Sequence, residues 1–167
     1  DEVELIKGGM PAQYGERLAS VIDVKQRQGS KETFKGKGGI GLISSRLTLE
    51  GPISKGKSSF IISGRRTYID VLARPFIPED SDFGGSQYYF YDLNGRVDWD
   101  LGNNSRFYLS GYLRDDAFDF NSPESEFKTR IQWGNRLLSG GYQKIWKNAV
   151  LDVNAGFTQY KFNFLLC

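Results

Sequence analysis

From Thr33 onward the chain reads as a ladder of stretches in which apolar and polar residues alternate one by one, several near twice the length of ordinary soluble strands. A period of two held for so long constrains the fold more than any other feature, because it commits each stretch to an extended strand with one apolar and one polar side. The alternation predicts about seven strands, near 33–42, 46–53, 58–72, 88–101, 106–120, 128–146 and 149–164. In the fourth, Leu93, Val97, Trp99 and Leu101 share a side with Gly95, while Asp92, Asn94, Arg96, Asp98 and Asp100 share the other. The seventh sets Leu151, Val153, Ala155 and Phe157 against Asp152, Asn154, Gly156 and Thr158, and the fifth sets Phe107, Leu109 and Leu113 against Tyr108, Ser110, Tyr112 and Arg114. A slip of one residue would exchange the sides. If the apolar side faces lipid, each Arg or Lys turned toward mid-bilayer costs ~2–4 kcal/mol and each acid somewhat less, so register is strongly specified.

The connections differ from one edge to the other. SKGK, GNNS and KN are short turns in which Gly and Asn supply positive φ, whereas Ala73–Gln87 and the segment around Asn121–Phe127 are long, and only the tip at Ile43–Ser45 is tight on that side. Trp99, Phe107 and Trp146 lie beside the short turns, where an interfacial aromatic girdle would sit. Ser139-Gly140-Gly141 interrupts the sixth strand and is expected to form a bulge. Long strands, one-sided loops and turn-side aromatics favour a transmembrane β-barrel wall. A lipocalin-like barrel or a β-sandwich would alternate as well, with the apolar side against a protein core.

Composition removes several other classes. No stretch of the 167 residues approaches the ~18 apolar residues of a membrane-spanning helix, which leaves half-apolar barrel strands untouched. The 22 basic and 20 acidic residues are interspersed, a balance that argues against nucleic acid as partner. Twelve Phe and nine Tyr exceed what a linker-like chain carries, so they are ordered against something. A single Cys167 permits no internal disulfide, and the absence of His removes His-dependent triads, bases and zinc sites from this chain. The chain opens at Asp1 without an initiator Met or an apolar leader and stops at Cys167 directly after an alternating strand, so both ends read as cut from a longer protein.

The motifs that suggest chemistry mostly dissolve on inspection. Gly36 to Gly41 matches GxGxxG, but a dinucleotide site needs a following helix and an acid about 20 residues on. Here Arg46 to Pro52 is strand-like and position 61 is Ile, so the glycines read as room for a wall to lie close to whatever fills the barrel. Glu79, Asp80 and Asp82 would place Gly84 and Tyr91 where a calcium loop needs oxygen ligands, and they read as solvated loop charges. Asp115 and Asp116 are neighbours on a strand, point to opposite faces and cannot act as a dyad. No catalytic residue, metal site or cofactor is expected. Of Arg65 and Arg66, the register of Ile61, Ser63 and Thr67 puts Arg65 in the lumen, where an ion pair with the barrel filling competes with ligand contact. Phe76, Tyr88 and Tyr89, in and beside the long loop, are the aromatic candidates for ligand binding.

Residues 1–32 have a different texture: a short strand VELIKG, a Gly/Pro-punctuated turn with room for one helical turn, a second strand ASVIDVKQR, and the polar link Gln28 to Glu32. Val3 to Gly15, with Lys7, Gly8, Pro11, Tyr14 and Gly15, then Arg17 and Ser20 to Lys25, resembles the closing segment of the plug domain of TonB-dependent outer-membrane receptors. That family carries an E-V-L-K-G strand, an Ala-x-x-Tyr-Gly-like turn and a G-V-I-N-I strand before its barrel. Gly9-Met10-Pro11 departs from the common Gly-Pro, and Leu18-Ala19-Ser20 stands where Gly-Gly is frequent. SSRLTLEGPI and SGRRTYIDVL resemble first barrel strands of the same branch, which is distinct from the SusC/RagA glycan importers. The resemblance implies an all-β chain: 1–32, the end of the plug with its link, and 33–167, the first seven or so strands of a partial transmembrane antiparallel barrel wall. It further implies a Gram-negative outer-membrane location and active uptake of a scarce extracellular solute such as a siderophore, cobalamin, sugar or peptide. The TonB complex would engage an N-terminal segment outside this chain, outer-membrane lipid would surround the wall, and no enzymatic step is involved. In that arrangement Asp92, Arg96, Asp98, Asp100, Asp152 and Arg65 would meet plug charges such as Lys7, Glu16, Arg17 and Lys25. A non-transporting barrel serving as adhesin or anchor fits the same ladder but needs no plug.

Overall fold

Every alternating stretch forms a strand in the computed structural model, which describes residues 2–7, 20–68, 87–121 and 128–166. Glu2–Ile6 (β1) and Val21–Lys25 (β2) pair as a separate antiparallel two-stranded sheet. The remaining strands are Lys35–Ile40 (β3), Ser44–Ser54 (β4), Ser58–Thr67 (β5), Gln87–Gly102 (β6), Ser105–Asn121 (β7), Lys128–Ile145 (β8) and Val150–Leu166 (β9). They form one antiparallel sheet in sequence order, β3 to β9, that does not close on itself. No helix occurs among the described residues. The fold is all-β, an open arc consistent with part of a barrel wall.

The turns follow from residue chemistry. Gly102, Asn103 and Asn104 hold φ of 76°, 50° and 56°, so the β6–β7 connection uses the left-handed region that Gly and Asn tolerate best. Gly56 does the same between β4 and β5 at φ 71°. Trp99 stands opposite Phe107 beside this end of the sheet, ring centroids 5.5 Å apart. At the other end Gly41 donates its amide to the Ser44 carbonyl and closes the β3–β4 tip.

Two glycine readings change. Pairing runs without interruption through Ser139, Gly140 and Gly141 on both sides of β8, so the expected bulge is absent there, and the ladder shifts register instead between Pro52 and Ser54 and between Asp100 and Gly102. Gly141 is needed for space, because a Cβ there would collide with the Tyr108 ring and the Asn154 amide. Gly36 sits close to the Leu49 side chain on the adjacent strand, whereas a Cβ at Gly38 would make only an ordinary contact with Leu47, and both glycines lie on the apolar face, away from the link.

The sheet is a single layer with two unlike faces. Ile62, Leu93, Leu109, Leu113, Leu138, Val153 and Phe157 lie on one face, each at least 41% exposed. Among the described residues only Ile61 and Ala117 are buried apolar side chains, far too few for the core of a sandwich. An apolar surface of this extent marks a contact with lipid or protein.

Candidate functional site

The opposite, polar face carries several clusters of hydrogen bonds and ion pairs. Near the short turns, Arg96 donates to Asp98 at 2.7 Å and lies over the Tyr108 ring, 4.3 Å from its centroid. Tyr108 donates to Asn154 at 2.7 Å, Asn154 donates to Asp152 at 2.7 Å, and Gln143 reaches the same carboxylate at 3.3 Å. Hydroxyl pairs bridge neighbouring strands at Thr48 and Ser63 (2.9 Å) and at Ser110 and Ser139 (2.7 Å). Antiparallel register sets Thr48 across from Ser63, Ser110 across from Ser139 and Gln143 across from Asp152, and keeps the polar side chains of β4 to β9 on one side. A half-open cavity of about 1710 Å³ lies over it and extends to Glu4, Val24 and Lys25 of the small sheet.

The link that follows β2 is seated on this face. Gln26 donates to Asn94 at 3.2 Å, Arg27 pairs with the nearly buried Glu50, and Lys31 stands 3.7 Å from Asp100. The Lys31 carbonyl accepts the Gly56 amide at 3.2 Å. Gly29 is buried so close to β5 that a Cβ would run into the Phe60 carbonyl, and only glycine permits that approach. Sequence reasoning took Gln28 to Glu32 as a polar link and missed these contacts. A glycine amid alternating polar residues was the available signal.

The charges pair differently from expectation. Asp92 takes Arg65 and Asp98 takes Arg96, both within the wall, and Lys25 lies 3.9 Å from Glu4 inside the small sheet. Among the described residues only Asp100 and Glu50 meet a cation from outside the wall, and in both cases that cation belongs to the link. The reason is geometric: cross-strand partners are already within reach when the sheet forms, whereas a separate segment must be brought to them. Lys7 is exposed, and Gly8, Pro11, Tyr14, Gly15, Glu16 and Arg17 lie outside the described residues, as do Phe76 and the acids Glu79, Asp80 and Asp82.

Toward the long connections the same face turns aromatic. Arg65 and Arg114 lie over the Phe90 ring at 5.1 and 5.6 Å, each paired to an acid, Asp92 and Asp116, at 2.7 Å. Tyr88 packs near Phe90 and Phe118, with centroids 6.1 and 6.3 Å away. Register continues the aromatic surface through Trp133, opposite Asp116, to Phe162 and Phe164 on β9. Tyr89, adjacent to Tyr88, belongs to the other face, so the ligand candidates Arg65 and Tyr88 are brought together and Tyr89 is not. That other face is polar at this height: Tyr91 donates to Asp115 at 2.7 Å, Arg130 pairs with Asp119, and Gln132, Arg136 and Lys161 accompany them. Asp115 and Asp116 therefore serve opposite faces, as their adjacency requires.

No family model, curated protein or solved structure matches this chain.

Proposed function

We propose that this chain forms the end of the plug and an arc of the barrel wall of a TonB-dependent outer-membrane receptor, which takes up a scarce solute at the expense of inner-membrane energy. The observation that carries the reading is the link seated on the polar face of a single-layer sheet whose other face is apolar and exposed. An open sheet in lipid would leave unpaired backbone groups along β3 and β9, so further strands are required to close it. A barrel wide enough to need such an arc has an aqueous lumen, and the segment that precedes β3 is positioned to contribute to its closure.

Strand length supports the same reading. β6 to β9 run 16 to 18 residues, whereas a tilted strand crosses the hydrocarbon with ~9–11. The surplus lies toward the long connections, where the outer face becomes polar and the inner face aromatic, as expected of a wall that projects beyond the membrane. The aromatic inner surface around Phe90 and Trp133 then faces the incoming solute, and the paired arginines keep it near neutral.

Uptake tests the proposal. Cells or vesicles carrying the full-length protein are offered a ferric siderophore, cobalamin, an oligosaccharide and a peptide, with and without a proton gradient. Accumulation of one of them that needs the gradient is expected, and flux that persists without it contradicts active transport.

A further inference from the structure

The apolar face carries a groove that no transport step uses. Gly95 on β6 and Gly111 on β7 stand directly opposite each other, so two adjacent positions of the wall lack side chains where the surrounding ones carry Leu, Ile or Val. The depression holds about 430 Å³, with Ile62 and Leu93 on one side and Leu138 and Phe157 on the other. Its volume and apolar lining suit one extended hydrocarbon chain. Arg136 closes the end toward the long connections, on the same face, directly across from Leu113.

Arg136 stands where the apolar part of this face meets its polar part. Its neighbours on this face are Leu113, Gln159 and, one step along, Leu138 on one side and Gly134 on the other, with Asp115 diagonal to it, and among the described residues it makes no salt bridge, as Arg46, Arg66 and Arg106 make none, whereas Arg130 on the same strand and face does. A guanidinium set at the head of a hydrocarbon groove matches a molecule with a phosphate at one end and an apolar chain at the other.

We propose that the Gly95–Gly111 groove is a binding site for an anionic, phosphate-bearing lipid, its chain lying over the two glycines and its phosphate on Arg136. This rests on the membrane reading above. The site would hold a specific lipid against the wall in the leaflet nearer the long connections.

The full-length protein, purified with bound lipid and presented with an equimolar mixture of phosphatidylglycerol and phosphatidylcholine, is weighed intact by native mass spectrometry. The wild type is expected to retain phosphatidylglycerol preferentially. R136Q should lower that preference about tenfold, as for the loss of one charge-assisted hydrogen bond, and keep chain binding. G111L should retain neither lipid there, and it has room to fold, since a Cβ at Gly111 meets nothing closer than 3.9 Å. Undiminished retention in G111L or an unchanged preference in R136Q would overturn the proposal. So would a dimer lost in G111L without any lipid difference, which would assign the groove to a second copy of the chain. Co-flotation with vesicles separates the two levels: a wild type that does not float contradicts the membrane reading itself, and one that floats with retention unaltered by either variant contradicts only the groove.

Discussion

β7 carries Phe107, Leu109 and Leu113 on one face near the short turns, and farther along that same face carries Asp115 and Asp119 while the opposite face takes Phe118. β9 makes the same exchange, from Leu151, Val153 and Phe157 to Phe162 and Phe164 on the other side. The two halves of the wall thus have inverted polarity, although pairing is continuous across β6 to β9 at the exchange. A bulge would have carried the apolar residues along to one side. Its absence means that the two faces exchange character: the turn-side half carries its apolar residues on one face, and the loop-side half carries its aromatic residues on the other.

Removing arginines separates the two faces most sharply. The Asp116 side chain is fully buried beneath Arg114, so Arg114→Ala leaves a buried carboxylate without its cation and should cost about 3–5 kcal/mol. Arg130→Ala, at a pair exposed on the other face, should leave stability almost unchanged, because water and salt screen such a pair. Urea unfolding of the full-length protein in vesicles measures both, and equal losses would erase the distinction.

Adding arginines on one face tests the two halves in turn. Leu109→Arg places a cation in the middle of the apolar half and should cost about 2–4 kcal/mol, while Gln132→Arg in the loop-side half should cost about 0–1 kcal/mol. Comparable penalties would mean that the outer face meets one environment throughout. A smaller effect concerns the link. Gly29→Ala forces a Cβ into the β5 backbone and should cost about 1–3 kcal/mol, with faster hydrogen exchange over residues 26–34 and none of the change in β8. Unaltered exchange in the link would show that it is not seated on the polar face.

Much of this was legible in the sequence. Seven strands were readable because alternation fixes both existence and face, and the turns because Asn103-Asn104 and Gly56 are suited to positive φ. The face on which Arg65 lies followed from counting by twos. The inversion was legible in principle but easily passed over: Asp115-Asp116 and Thr158-Gln159 are polar doublets at which the apolar residues change from odd to even positions. Alternation on either side of each doublet looks intact, and only the change of phase reports the exchange. The glycines were misread because a sequence shows their missing side chain without showing whose atoms fill the space, as with Tyr108 against Gly141. The link contacts depend on how a separate segment lies across the sheet, which no local periodicity encodes.

Two tryptophans sit on opposite faces and in opposite halves, Trp99 beside the short turns on the apolar face and Trp133 in the loop-side half on the polar face. Variants of the full-length protein that retain one or the other, reconstituted in vesicles of brominated lipid, would show directly what each face meets. Strong quenching of Trp99 with little of Trp133 is the predicted result, and equal quenching, or none of Trp99, would contradict a wall that spans the membrane with only its turn-side half.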